Sequence, residues 1–405
     1  MHDFPFDITD VCRINFLEIP KSGKVSDITC PFCGSKKKFN VNAAPNKNIA
    51  RCNKCGWGGG MLKLHAKLNN MNTKEAKKDI EEKLNLVPSS EDYKKRSEQI
   101  KKIAEASAKE EVIMPISQRS SKYNHMISLL HLAEDHKENL ELRGLKPSFI
   151  EARGYKSLPV EADSLTRLAR KMQSDGYSVK NLPGFYLNDN NEYQLRRFTR
   201  GTLIPIRNLN GYIEGFQVRK DNDKIKYKTH KDHFTGEIIL GKDGKPEKFA
   251  TNKFNTISTP PEEFKDGGKM HSVCHYAGSW NWNEEIGELV PVIKKNSIKF
   301  TEGPLKADIF YALTGEPMLA ILGVNNVKQL KVMLEQLLKY YPNIDTVENC
   351  LDMDYMTNIY VQKAVTNCKE MIEALGLKYI RREWNPEYKG IDDFALAVKK
   401  GIYKI

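Results

Sequence analysis

Two cysteine pairs place the strongest constraint on the fold. The chain reads Cys30-Pro31-Phe32-Cys33, then eighteen residues, then Cys52-Asn53-Lys54-Cys55. Two such knuckles can bring four thiolates to the corners of a tetrahedron, the geometry that Zn2+ prefers. A small module gains much of its folding free energy from such a metal. With four protein ligands the site is closed, so its role is structural. Bases and aromatics are interleaved around it: Lys36, Lys37, Lys38, Phe39, Lys47, Arg51, Lys54 and Trp57. That mixture fits a surface that tracks a nucleic-acid backbone and stacks bases, or an ordinary solvated basic face.

The overall charge points the same way. Against 52 Asp and Glu stand 64 Lys and Arg, a formal net charge of +12. Such an excess favours a polyanionic partner, because neutralising phosphates releases counterions. No apolar stretch has the length of a membrane span, so no membrane partner is expected. The start, Met1-His2-Asp3-Phe4-Pro5, has neither a basic n-region nor an apolar h-region, which predicts a cytoplasmic protein. In that reducing compartment cysteines are metal ligands or buried thiols before they are disulfides.

Local patterns divide the chain. Asn72 and Glu75 form a capping pair before a helix with Ala76, Ile80 and Leu84 on one face, ended by Pro88. Residues 89–111 are nearly all polar and read as an exposed helix or linker. A single helical stretch is expected over 118–143, from the spacing of Tyr123, Met126, Ile127 and Leu130. Residues 202–206 and 212–218 alternate about Asn210-Gly211, a strong hairpin signal. Residues 229–296 read as loops and short strands, with Trp280 and Trp282 expected in a core. From Ile298 the pattern becomes strands at 298–301, 318–322, 346–351 and 379–384, with helices at 330–340 and 360–375. That order implies an open, mostly parallel sheet with functional groups at strand C-termini.

Carboxylates fall at those strand ends. Thr301-Glu302-Gly303-Pro304 closes one strand, Asp352-Met353-Asp354 another, and Lys389-Gly390-Ile391-Asp392-Asp393-Phe394 follows the last. If Glu302, Asp352 and Asp354 share a pocket, their mutual repulsion is relieved by a divalent cation, and all-oxygen ligands favour Mg2+ or Mn2+. Each motif alone is also common in turns and helix caps.

In order, these motifs resemble two parts of DnaG-type DNA primases. Cys52-Asn53-Lys54-Cys55-Gly56-Trp57-Gly58-Gly59-Gly60 is similar to the end of their zinc-binding domain, with Cys33 where the cellular enzymes usually have His. The acidic motifs resemble the TOPRIM domain that primases share with topoisomerases and some nucleases. The resemblance sets Glu302 as its glutamate, Asp352 and Asp354 as its Asp-x-Asp, and Asp392 as a later aspartate. Lys306 stands where those enzymes usually carry Asp, and Gly390 replaces another. Thr-Glu-Gly-Pro-Leu-Lys-Ala-Asp resembles a TOPRIM subgroup of phage and mobile-element proteins. Arg143-Gly144-Leu145, the Arg200–Arg219 hairpin and Lys226-Tyr227 resemble the basic subdomain of the primase core.

The resemblance implies an α+β multidomain chain: a zinc ribbon at 1–70, a helical linker at 71–115, a mixed α/β basic subdomain at 116–296 and a TOPRIM α/β domain at 297–405. It implies primer synthesis from NTPs on single-stranded DNA, with catalytic Glu302, Asp352, Asp354 and Asp392. Arg200, Arg207, Arg219, Lys226, Tyr227 and Lys306 are expected to contact nucleotide or DNA. Along the hairpin, Arg200, Arg207, Arg219, Lys226 and Lys228 are expected to form one basic row beside the acidic pocket, or an ordinary solvated strand face. No G-x-x-x-x-G-K-[ST] is present, so a replicative helicase is expected in trans. Two rivals remain open at this level: a single-strand-binding accessory protein with a degenerate TOPRIM domain, and a TOPRIM nuclease or topoisomerase.

Overall fold

The computed structural model describes residues 4–18, 25–44, 47–88, 90–109, 114–229, 237–240, 244–261, 263–323, 326–353 and 359–403. They fall into two units, Met1–Val112 and Ile113–Ile405.

In the first unit, four short strands, Val25–Ile28, Phe39–Asn42, Ile49–Cys52 and Gly58–Gly60, pair antiparallel in chain order. The expected capping box is present at Asn72. Its side chain accepts from the Lys74 and Glu75 amides, and Glu75 returns a bond to the Asn72 amide. The helix it starts, Thr73–Lys83, buries Ala76 and Ile80. Ile80 packs with Phe6, Ile8, Val11, Phe39, Val41 and Leu64. This helix therefore completes the core of the cysteine module, where a linker was expected from residue 71. The helix Glu91–Lys109 follows, and its Arg96 is ion-paired to Asp10 at 2.9 Å.

The second unit begins with two helices, Ile116–Ser128 and Glu134–Leu142, where one was expected. The Leu129 and Leu130 amides turn back to His125, Met126 and Ile127, and the chain redirects. The Asn-Gly hairpin forms as Gly201–Arg207 and Ile213–Lys220. Lys156–Ser157 flanks one side and Phe254–Thr256 the other, giving an antiparallel sheet of four strands. Helices Ile116–Ser128 and Ala162–Ser174 cover it with Tyr123, Met126, Leu165, Leu168 and Met172, against Phe216 and Val218. Each such side chain contributes roughly 1.5–3 kcal/mol when fully buried.

The C-terminal sheet has the order Cys274–Ala277, Met318–Ile321, Ser297–Glu302, Thr346–Asn349, Lys378–Arg381. The last four are mutually parallel, and Cys274–Ala277 joins antiparallel at the edge. The sheet therefore recruits a strand from before residue 297. Ile298 and Phe300 pack on one face with Leu330, Leu334, Leu337 and Ile372. Ala320 packs on the other with Ala307, Phe310, Ile391 and Ala395. Helices on both faces force the strand ends to be the open edge. Of the two tryptophans, Trp280 is partly buried and donates its indole N–H to Leu209 O at 2.8 Å. Trp282, expected in a core, is 56% exposed on the hairpin of Trp280–Asn283 and Glu288–Pro291. Among the described residues, its strand is hydrogen-bonded in a two-stranded sheet with Glu288–Pro291 alone, which does not bury the ring.

Candidate functional site

The four cysteine sulfurs all lie within 4.8 Å of one another. Cys30 and Cys55 Sγ are 3.9 Å apart, and Cys33 and Cys52 Sγ 3.8 Å. A tetrahedral zinc with bonds of about 2.3 Å needs sulfur–sulfur edges of about 3.8 Å, so the cradle fits that ion as it stands. Backbone amides point at the sulfurs: Phe32 to Cys30 at 3.4 Å, Lys54 and Cys55 to Cys52 at 3.3 and 3.4 Å. Such donors stabilise thiolates and orient them for a metal. Burial pushes the Cys30 thiol up to about 12, a cost that a bound cation offsets. Among the aromatics expected to stack on bases, Phe39 is fully buried beneath Trp57 and Phe32, at ring-centroid distances of 5.6 and 5.8 Å. It belongs to the core. Lys36, Lys37, Lys38, Arg51 and Lys54 are exposed.

The acidic residues sit at the C-terminal edge of the parallel sheet. Glu302 ends its strand, and Gly303, at φ 93°, turns the chain sharply into the helix Pro304–Thr314. A left-handed turn at this point requires glycine. Asp352 follows the neighbouring strand, three residues past Asn349, which pairs with Phe300. Thr301 Oγ1 donates to Cys350 O at 3.0 Å and ties the two strand ends. Arg381 donates to Leu351 O at 2.7 Å and Asp352 O at 3.2 Å, which fixes the backbone carrying Asp352. Asp392 lies in the first turn of Ile391–Lys399 and is 2% exposed. Asp354 lies outside the described residues.

Protein cations, as well as any metal, meet these carboxylates. Lys306, on the first turn after Gly303, donates to Asp352 Oδ1. Burial works to lower its pKa, yet Asp352, Asp392 and Glu302 hold the ammonium above its ordinary range. Arg143 pairs with Asp392 Oδ2 at 2.7 Å, and Lys389 lies 4.0 Å from Asp352 Oδ2. Asp392 Oδ1 is buried with no hydrogen-bond partner among the described residues. Burial, and then Asp392 beside it, push Asp393 upward.

The expected basic row divides. Thr202 pairs with Arg219 and Arg207 with Ile213, so Arg219 and Arg207 stand at opposite ends of the hairpin. Arg207 is turned inward and donates to Gly211 O at 3.0 Å and Arg153 O at 3.4 Å. Burial, and Arg153 nearby, bring it down to about 10. Arg200 is bound to Asp135 by two bonds of 2.8 Å and to Asp221 at 2.6 Å, next to His136. These two arginines brace the fold, because carboxylates and carbonyls have already taken their donors. Arg219 is different. Its Nε is buried without a hydrogen-bond partner among the described residues, and burial and Arg143 lower its pKa. Lys226, Tyr227 and Lys228 are exposed on a strand paired with Lys248–Thr251.

Sequence reasoning missed Lys253. Burial, then Arg219, Arg143 and Lys306, bring its ammonium down to about 8, with Asp392 opposing. Arg143, Arg219, Lys253 and Lys306 therefore form one cationic group facing the carboxylate edge. Arg219 and Lys306 are among the residues expected to contact nucleotide or DNA, and Arg143 is marked as the first residue of Arg-Gly-Leu; Lys253 alone of the four carries no sequence signal. Such a group suits a polyphosphate, which can neutralise several like charges at once.

Fold and site together define the class: an α+β protein with an N-terminal four-cysteine, zinc-ribbon-like module and a C-terminal parallel sheet gathering carboxylates and bases at its strand ends. In sequence the chain is similar to a DNA primase. It is 24% identical over 223 residues to a DNA primase of Halalkalibacterium halodurans, a match covering 55% of this chain and 36% of that protein. The match thus spans about a third of the curated relative's length. Residues 290–402 match a family described as a domain of unknown function, DUF3854. Among solved structures, the zinc-binding and RNA polymerase domains of the Aquifex aeolicus primase give a TM-score of 0.46 at 15% identity, covering 98% of this chain and 81% of that one. The RNA polymerase domain of Mycobacterium tuberculosis primase DnaG gives 0.44 at 13% identity, covering 71% and 81%. These structural likenesses are too distant to assign residue roles. Among the described residues, no helix is long and apolar enough to cross a membrane.

Proposed function

We propose that this chain is a DNA primase that makes short RNA primers on single-stranded DNA by metal-dependent nucleotidyl transfer, in the replication of a phage or mobile element. One observation carries the reading: Glu302, Asp352 and Asp392 meet the cations Arg143, Arg219, Lys253 and Lys306 at the open end of one parallel sheet. The primase relative supports it.

Glu302 and Asp352, with Asp354 and Asp392, would hold Mg2+ or Mn2+ in a TOPRIM-type site. Their all-oxygen donor set fits such an ion, and the open Oδ1 of Asp392 adds a free ligand atom. When bound, the metal neutralises charge on the attacking and leaving oxygens of the phosphoryl group. Arg143, Arg219 and Lys253 bind the incoming triphosphate and hold it in line with the primer's 3′-hydroxyl. Lys226 and Tyr227 offer an exposed cation and ring to the template, and the lysines around the zinc module track its backbone. A replicative helicase acts in trans, and the protein works in the cytoplasm.

The test incubates the zinc-loaded chain with single-stranded DNA, NTPs and Mg2+ or Mn2+. Oligoribonucleotides should form, and Glu302→Gln should reduce them by about 100-fold or more. No product on any template, with the variant indistinguishable from wild type, would sink the proposal. The Lys306–Asp352 pair favours a second reading, a non-catalytic single-strand binder. That protein would bind DNA without Mg2+ and tolerate Asp352→Asn.

A further inference from the structure

We propose that Lys306 is a built-in cation of the acidic site, standing in for one divalent ion, so that the site takes a single Mg2+ or Mn2+. The inference rests on reading this edge as a nucleotidyl-transfer site. Lys306 follows Gly303 and Pro304 on the first turn of its helix, so the side chain returns toward the strand ends. Its ammonium donates to Asp352 Oδ1, so one face of that carboxylate is already occupied by a cation.

Charge balance then limits the metal. Among the described residues, Glu302, Asp352, Asp392 and Asp393 bring four carboxylates to this edge. Lys306, Arg143, Lys389, Arg219 and Lys253 bring five cationic side chains, with Arg143 at 2.7 Å from Asp392 and Lys389 at 4.0 Å from Asp352. Two adjacent divalent ions would add four positive charges to a site already near neutrality. Coulomb repulsion at such separations amounts to several kcal/mol even in a well-screened environment. One ion is more readily accommodated, and a place remains for it. Asp392 Oδ1 is buried without a hydrogen-bond partner among the described residues. A Cβ on Gly390 would lie 2.4 Å from that oxygen and 3.5 Å from Lys306 Cε. Glycine here keeps open the space between the aspartate and the lysine. Lys306 thus serves the Asp352 side, and the open Asp392 oxygen serves the ion.

The experiment counts bound Mn2+ by electron paramagnetic resonance in the zinc-loaded full chain, using wild type, Lys306→Met, Lys306→Arg and Glu302→Gln, each checked for folding by circular dichroism. Wild type should bind one Mn2+, and Lys306→Arg should keep that count. Lys306→Met should take a second ion, or bind the first at least about tenfold tighter. Glu302→Gln should weaken binding by a similar factor. Two Mn2+ in wild type would overturn the inference while leaving the nucleotidyl-transfer reading intact, even if Lys306→Met did not fold. Unchanged binding in a folded Lys306→Met would do the same. No Mn2+ in any variant would overturn both.

Discussion

Replacing Asp308 should destabilise the second unit and disable the site that its helix carries. Asp308 is 1% exposed and lies two residues beyond Lys306 on Pro304–Thr314. It accepts from the Tyr155 hydroxyl at 2.7 Å and faces Arg153 Nε at 3.4 Å and His275 Nε2 at 3.3 Å. The Arg207 amide donates to His275 Nδ1 at 3.0 Å, so Nε2 carries the proton directed at Asp308. Asp308→Ala leaves the Arg153 guanidinium buried without its anion, which costs about 3–5 kcal/mol. It also takes the acceptor from Tyr155, worth about 1–3 kcal/mol. One carboxylate serves both partners, so these costs overlap, and a total near 4 kcal/mol is expected. Asp308→Asn keeps an acceptor but loses the charge and should cost about half as much. Whole domains are stable by only about 5–15 kcal/mol. Urea unfolding followed by tryptophan fluorescence reads the difference directly. The carboxyl is held below its ordinary range: burial opposes this, but Arg153 and His275 prevail. Its stabilisation is therefore complete above the unfolded pKa of about 4 and is lost as pH falls below it. The gap between wild type and Asp308→Ala should narrow in acid. A loss under about 1 kcal/mol for both variants, or a gap that does not depend on pH, would refute the reasoning.

Stripping zinc with a strong chelator, or Cys52→Ser, should abolish the thermal transition of the first unit in circular dichroism and leave that of the second. Alanine at Arg219 and Lys253 together should weaken binding of a fluorescently labelled nucleoside triphosphate by about tenfold or more, because two charged phosphate contacts are lost. Because Lys253 is brought down to about 8, it loses its charge as pH rises from 7 to 9; binding measured by fluorescence anisotropy should weaken over that interval, and Lys253→Arg should flatten the dependence. Arg200→Ala should lower the melting temperature, at a cost of about 1 kcal/mol given its partial exposure, with single-strand affinity unchanged.

Features settled by neighbours in the chain were legible in the sequence. The Asn72–Glu75 cap, the Asn210-Gly211 turn and the two cysteine knuckles each depend on spacings of a few residues. The break after Ser128 was not, because Leu129-Leu130-His131-Leu132-Ala133 contains neither glycine nor proline to mark it. Cys274–Ala277 is buried on both faces as an edge strand, so it shows no alternation. Alternation identifies a strand face but not what lies across from it. Arg200 and Arg207 therefore looked available, while Asp135 and Asp221 had claimed the one, and the Arg153 carbonyl together with the nearby Gly211 carbonyl the other. Lys253 stayed hidden for the same reason, since Arg143, Arg219 and Lys306 reach it only after folding.

The edge strand Cys274–Ala277 has a mechanical consequence. It ladders onto Met318–Ile321 through four residue pairs, while His275 takes the Arg207 amide at the end of the central hairpin. The hairpin layer and the parallel sheet are thus tied by a side chain that the sheet's own edge strand holds in place. Prising them apart would leave the Arg207 amide or the buried His275 ring without its partner, at a cost of about 1–3 kcal/mol. The hairpin that carries Arg219 and the sheet that carries the carboxylates are thereby held in one frame, which leaves the long lysine and arginine side chains as the parts that adjust to a ligand.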